Sequence, residues 1–165
     1  MLDPNYKQLF EANWRDAIRT ANLLCSSVKR LKSTFPLSSD FLTSFDDESL
    51  DKLDAFRVRF ADLQDCIGHK LFRNLLKLEE ETTTSMLDIL NAMEKRRVLN
   101  SVEQWRELRA IRNAFSHDYP ESDIEKADAL NAAYKASSTL LSALNQCFDY
   151  CQKYDLQLTE VPKCD

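Results

Sequence analysis

At 165 residues the chain has the length of one domain, and with 44% hydrophobic and 30% charged residues it is expected to be neither disordered nor membrane-spanning. One Gly and four Pro leave little material for hairpins, which excludes a β-rich fold and leaves an all-α one. A net charge of -5 speaks against wrapping long nucleic acid through bulk electrostatics.

The first residues, Met1-Leu2-Asp3-Pro4, lack a basic stretch followed by an apolar one, so no secretory signal and a cytoplasmic location are expected. Asp3 before Pro4 predicts a helix start. From there Phe10, Trp14, Ala17, Ala21, Leu24, Val28, Leu31 and Phe35 recur at steps of four and three, one stripe of a long helix that Pro36 should end. Residues 36–47 read as a loop whose Phe41, Leu42 and Phe45 tuck against the body of the protein. Ser44 with Asp47 predicts the cap of a second helix, carried to about Glu81 by Leu53, Phe56, Phe60, Leu63, Ile67, Leu71 and Leu75. Gly68 lies on the shoulder of that stripe, where lacking a side chain would let another helix approach. His69 falls opposite it, the position of a surface or interface histidine.

Thr82-Thr83-Thr84 is poor helix material, and Ser85 with Asp88 restarts a short helix through Met86, Leu87, Leu90 and Met93. Ser101 followed by Gln104 is a capping box, so a further helix should begin at about Val102 and stop before Pro120, with Trp105, Leu108, Ile111 and Phe115 facing the core. Asp123 is expected to cap the last helix, whose seam is Ala127, Leu130, Tyr134, Ser137, Leu141, Leu144, Phe148 and Cys151. Three stripes in one chain must bury one another. The predicted architecture is a single-domain antiparallel bundle over 1–155, of about five helices with two or three long ones, and a loose C-terminal tail over 156–165. The five cysteines are odd in number and form no Cys-x-x-Cys pair, so they are expected to be reduced thiols in the core rather than a disulfide framework or a metal site.

Residues 105–120 hold the chemistry. From Glu94 to His117 the basic Lys95, Arg96, Arg97, Arg106, Arg109 and Arg112 outnumber Glu94, Glu103 and Glu107, a charge surplus suited to short engagement of a phosphate backbone by Arg96, Arg97, Arg106 and Arg109. On an ideal helix Arg112 sits about 50° from the centre of the apolar stripe, at the edge of the core, and Ser116 is its neighbour one turn on. His117, five residues at about 100° each, lies about 140° away. Either the helix loosens at Ser116 or the cooperating groups come from two chains.

The octet Arg112-Asn113-Ala114-Phe115-Ser116-His117-Asp118-Tyr119 resembles the motif of HEPN domains, with the tyrosine extension of HepT toxins. The resemblance extends to most of the chain, since those proteins are also small all-helical domains with the motif late in the sequence. It implies a HEPN-like bundle and a metal-independent endoribonuclease, needing no cofactor, with Arg112 and His117 as the catalytic pair in a composite site. RNA cleavage without metal needs a base, an acid and positive charge on the transition state, and a two-fold homodimer would present two histidines and two arginines in one cleft. Arg112 is then expected to stabilise charge and His117 to move protons, with Asn113 and Ser116 as supports. The resemblance also implies a cognate nucleotidyltransferase antitoxin that transfers AMP onto Tyr119. The alternative is a non-catalytic helical subunit that binds a nucleotide or a nucleotidyltransferase through the same residues.

Overall fold

The computed structural model describes residues 1–83, 85–116 and 119–164. They form an all-α bundle with no strand among them. Helix α1 (Pro4–Arg30) starts where Asp3 accepts a hydrogen bond from the Asn5 amide at 2.8 Å. Its stripe is buried from Phe10 through Leu24. The helix ends five residues earlier than its periodicity suggests. Leu31 to Thr34 tighten into turns, and Phe35, barred from the α region by the following proline, swings out to stack on Tyr134 with ring centroids 4.2 Å apart. The Phe35–Pro36 peptide is cis. In the expected loop Phe41 is buried, and Phe41–Ser44 makes a single helical turn, α2.

Helix α3 (Asp47–Asp65) is capped by Asp46, which accepts from the Ser49 amide, rather than by Ser44. Hydrogen bonds from Ser49 hold the Asp46 carboxyl below its usual range. The rod then passes without a break through a π turn (Cys66–Leu71) into α4 (Phe72–Leu78). The predicted stripe is buried from Leu53 to Leu75, and beyond the π turn the neighbouring Phe72 and Leu76 are buried with it. A π turn adds one residue to the spiral and so rotates the succeeding residues by about 100°, which widens the buried arc. Gly68 sits in it: a Cβ there would lie 3.1 Å from the Trp105 ring, the close approach that the missing side chain permits. Helix α4 closes with Glu80 at φ 58 and the Glu81 amide donating to the Leu76 carbonyl at 2.8 Å. Arg97, at φ 59, does the same after α5. With one glycine in the chain, a glutamate and an arginine occupy the left-handed positions that glycine usually takes.

Ser85 caps α5 (Met86–Lys95) as expected, accepting from the Asp88 amide. Ser101 accepts from the Gln104 amide at the start of α6 (Val102–Ser116), which stops before Pro120. The last helix, α7 (Asp123–Cys151), is capped by Ser122 rather than Asp123. Helix α1 packs along α3, the π turn and α4, while α6 and α7 close the other side of the core.

Two expectations at the C-terminus are corrected. Residues 156–164 are not helical, but they are not loose: the Trp14 indole donates to the Thr159 carbonyl at 2.9 Å, the Gln157 amide donates to the Glu11 carboxylate, and Val161 is buried. Cys25 and Cys164, expected as thiols, form a disulfide that ties this segment to α1 across 139 residues of sequence. Cys66, Cys147 and Cys151 are buried free thiols, the role expected of them. No helix among the described residues is long and apolar enough to cross a membrane.

Candidate functional site

Helix α6 runs antiparallel to α3, and the contacts fix its register. Trp105 meets Gly68, Arg112 meets Asp65, and Phe115 meets Phe60 edge-on with centroids 6.0 Å apart. Advancing along α6 therefore means retreating along α3. That register sets Arg109 and Arg112 beside the π turn.

Between α1, α3 and α6 lies an open basin of about 590 Å³. Asp16, Arg19 and Thr20 come from α1; Asp62, Asp65, Cys66, His69 and Lys70 come from α3 and the π turn; Arg109, Arg112 and Asn113 come from α6. Arg112 is held on three sides. One terminal nitrogen donates to Asp65 Oδ2 at 2.6 Å, and the other donates to Ser116 Oγ at 3.0 Å and to Asn113 Oδ1 at 3.3 Å. Its Nε is buried with no hydrogen-bond partner among the described residues. As the helical angles suggest, the residue lies at the edge of the core, its side chain 21% exposed. Ser116 and Asn113 thus support the arginine itself. His117 and Asp118, together with Thr84 and Asp165, lie outside the described residues.

The carboxylate that fixes Arg112 also faces an imidazole: Asp65 Oδ1 is 3.9 Å from His69 Nε2, within ion-pair reach. Sequence reasoning missed Asp65 and read His69 as a surface or interface residue, although Asp65 and His69 stand four apart on a helix, the spacing at which side chains meet. The Cys66 thiol closes the basin floor, and burial pushes it up to about 11, so it stays protonated and is no nucleophile at neutral pH.

The predicted RNA-binding arginines separate. Arg109 lines the basin, and Arg106 is exposed on the same helix. Arg96 and Arg97 lie elsewhere, on a second depression with Tyr150. Arg96 is committed: it donates to Glu79 at 2.8 Å and to Glu81 at 2.5 Å with its side chain 12% exposed, and these bonds raise its pKa further against the opposing effect of burial. It is a structural tie between α5 and the end of α4. Glu79 also accepts from Tyr150 and Tyr154.

Tyr119 occupies a third place. It is not among the residues lining the basin but lies half-buried beneath Arg57, whose guanidinium is 4.4 Å from the ring centroid, with the Lys126 ammonium at 5.4 Å. Arg57 also donates to the Phe115 carbonyl at 2.9 Å, satisfying one of the orphan carbonyls at the end of α6. Burial pushes the Tyr119 phenol above its usual value, with Arg57 pulling partly against it, so the hydroxyl is neutral at physiological pH. No group of three or more His, Cys, Asp or Glu side chains among the described residues is arranged to hold a metal ion.

No family model matches the chain, and neither a curated protein nor a solved structure does.

Proposed function

We propose that this protein is a metal-independent endoribonuclease of the HEPN type, a HepT-like toxin that cleaves RNA through Arg112 and His117. The observation that carries the reading is the anchoring of Arg112. A guanidinium fixed by Asp65, Asn113 and Ser116 at the wall of an open basin is a preorganised positive charge for a phosphodiester, with one N–H of the nitrogen bonded to Asp65 left to donate, and it stands in the octet that resembles the HEPN motif. In the reaction the RNA 2'-oxygen bonds to phosphorus, the bond from phosphorus to the 5'-oxygen breaks, a base takes the 2'-hydroxyl proton and an acid protonates the leaving oxygen. The products are a 2',3'-cyclic phosphate and a 5'-hydroxyl. Arg112 neutralises the growing charge, and His117 moves a proton. Two chains pair so that their motif helices share one cleft, and exposed Arg106 and basin-lining Arg109 engage the backbone of the RNA. The protein works in the cytoplasm, where its substrate is.

Silencing follows from Tyr119. A nucleotidyltransferase antitoxin transfers AMP from ATP to its hydroxyl, the phenolic oxygen bonding to the α-phosphorus as pyrophosphate leaves and the phenolic proton passes to water, and the adduct's phosphate is met by Arg57 and Lys126, the cations already on the ring. Tyr119→Phe then keeps nuclease activity and resists the partner.

The test is purified protein with varied RNAs in EDTA. Wild type cleaves, and Arg112→Ala and His117→Ala do not. Folded wild type that leaves every RNA intact overturns the reading. One observation favours a second reading, a non-catalytic nucleotide- or nucleotidyltransferase-binding subunit: the charge of Arg112 is already answered by Asp65. That reading predicts nucleotide binding without cleavage, lost in Arg112→Ala.

A further inference from the structure

A bundle that offered one histidine per chain would have to borrow its second proton-transfer group from another copy. The basin changes that count. His69 stands on its wall, carried by the π turn, on the same carboxylate that anchors Arg112. We infer that His69 is the general base of the cleavage reaction, acting on the 2'-hydroxyl of an RNA whose phosphodiester lies against Arg112, with Asp65 as its positioning residue. The inference rests on the ribonuclease reading above and adds to it a catalytic group supplied within one chain.

Three features of the wall support the assignment. The first is reach. The His69 side chain is 52% exposed in a basin that also presents Lys70 and Arg109, for which no ion-pair partner is found among the described residues, so a single-stranded backbone entering between α3 and α6 meets cations and an imidazole together. The second is the carboxylate. Asp65 reaches both groups, Oδ2 bonded to Arg112 and Oδ1 3.9 Å from His69 Nε2, so one fixed carboxylate sets the guanidinium and the imidazole side by side. The third is the backbone. A π turn is costly and short, and such turns concentrate where a helix must redirect a side chain. This one spans Cys66–Leu71 and is packed against α6 through the close contact of Gly68 with Trp105.

The chemistry balances with the groups named. His69 takes the proton from the 2'-oxygen as that oxygen bonds to phosphorus, and the leaving 5'-oxygen takes its proton from the second acid–base group, His117 in the ribonuclease reading. The base is then regenerated by loss of its proton to water.

The experiment is single-turnover cleavage of a fluorescent single-stranded RNA in EDTA, comparing wild type, His69→Ala and His69→Asn, with unfolding midpoints measured on the same preparations. His69 is half exposed, so both variants are expected to fold. The expected result is a fall in the cleavage rate constant of about 10²- to 10⁴-fold at saturating enzyme, RNA affinity changed by less than about threefold, and partial recovery of His69→Ala by added imidazole, which enters the vacated wall. Cleavage by both variants at the wild-type rate overturns the assignment and leaves the ribonuclease reading standing. Loss of activity in His69→Ala that imidazole does not restore, accompanied by a matching loss of RNA affinity, also overturns it, reducing His69 to a contact. Wild type that cleaves nothing overturns both.

Discussion

Asp65→Asn is the most informative single change in the basin, because it removes one charge while keeping shape. The native carboxylate accepts from Arg112 at 2.6 Å and faces His69 at 3.9 Å, and the Asp65 and Arg112 side chains are 33% and 21% exposed. The guanidinium stays charged in the variant and can still donate to the amide oxygen, so what is lost is the ion-pair attraction of a partly exposed pair, about 1 kcal/mol of stability at most, a shift of about 2–4 °C in unfolding midpoint for a chain of this size. Two effects on cleavage oppose each other. Among the charged side chains lining the basin, three carboxylates face four Lys and Arg cations, so the substitution moves their balance from one net positive charge to two and tightens RNA binding. Against that, the guanidinium loses its strongest anchor and His69 its positioning carboxylate, and a misplacement of about 1 Å in a catalytic group costs about 10²-fold. Position wins for the chemical step. The expected outcome is a KM for RNA equal to or below that of wild type and a kcat lowered by about 10- to 100-fold, measured by steady-state cleavage beside thermal unfolding. An unchanged kcat refutes the anchoring role. A raised kcat refutes it more sharply, since the ion pair would then restrain the enzyme.

Two further predictions concern the frame. Glu79 accepts from Arg96, Tyr150 and Tyr154, and although burial alone would raise its pKa, those hydrogen bonds hold the carboxyl below its usual range. A group with a depressed folded pKa lends stability that is present above its unfolded value and is lost as pH falls through the folded one, so Glu79→Gln should cost about 2 kcal/mol at pH 7 and progressively less below about pH 4, read by urea unfolding across that range. The Cys25–Cys164 bond closes a loop spanning 139 residues of sequence, so mild reduction or the Cys25→Ser/Cys164→Ser double variant should lower stability by about 2–4 kcal/mol and open residues 156–164 to protease; equal unfolding curves with and without reductant count against it.

What was legible in the sequence is what repeats or acts over three or four residues. The stripes of α1, α3 and α7 needed only periodicity, and the Ser85 and Ser101 caps only a short motif. Where two cap formers sit close together, composition does not choose: Asp46 displaced Ser44, and Ser122 displaced Asp123, because the entering chain decides which oxygen reaches the third amide. The edge position of Arg112 and its bond to Ser116 followed from helical angles. The partners that define its chemistry did not, since Asp65 is 47 residues away, just as Glu79, 17 residues from Arg96, turned an expected RNA contact into a structural tie.

His69 shows the limit most clearly. Two residues past Ile67 on a regular helix it lies about 200° round the axis, on the side away from the buried stripe, and that arithmetic is correct as far as it goes. It says nothing of a second helix crossing at Gly68. The crossing brings Trp105 against the rod at the glycine, and α6 then carries Arg109 and Arg112 past the face that periodicity assigns to solvent. A residue turned away from the core of its own helix thus becomes the wall of a basin once the neighbour arrives. The mark of that neighbour in the sequence is the single glycine, placed where even a Cβ would press on the Trp105 ring of α6.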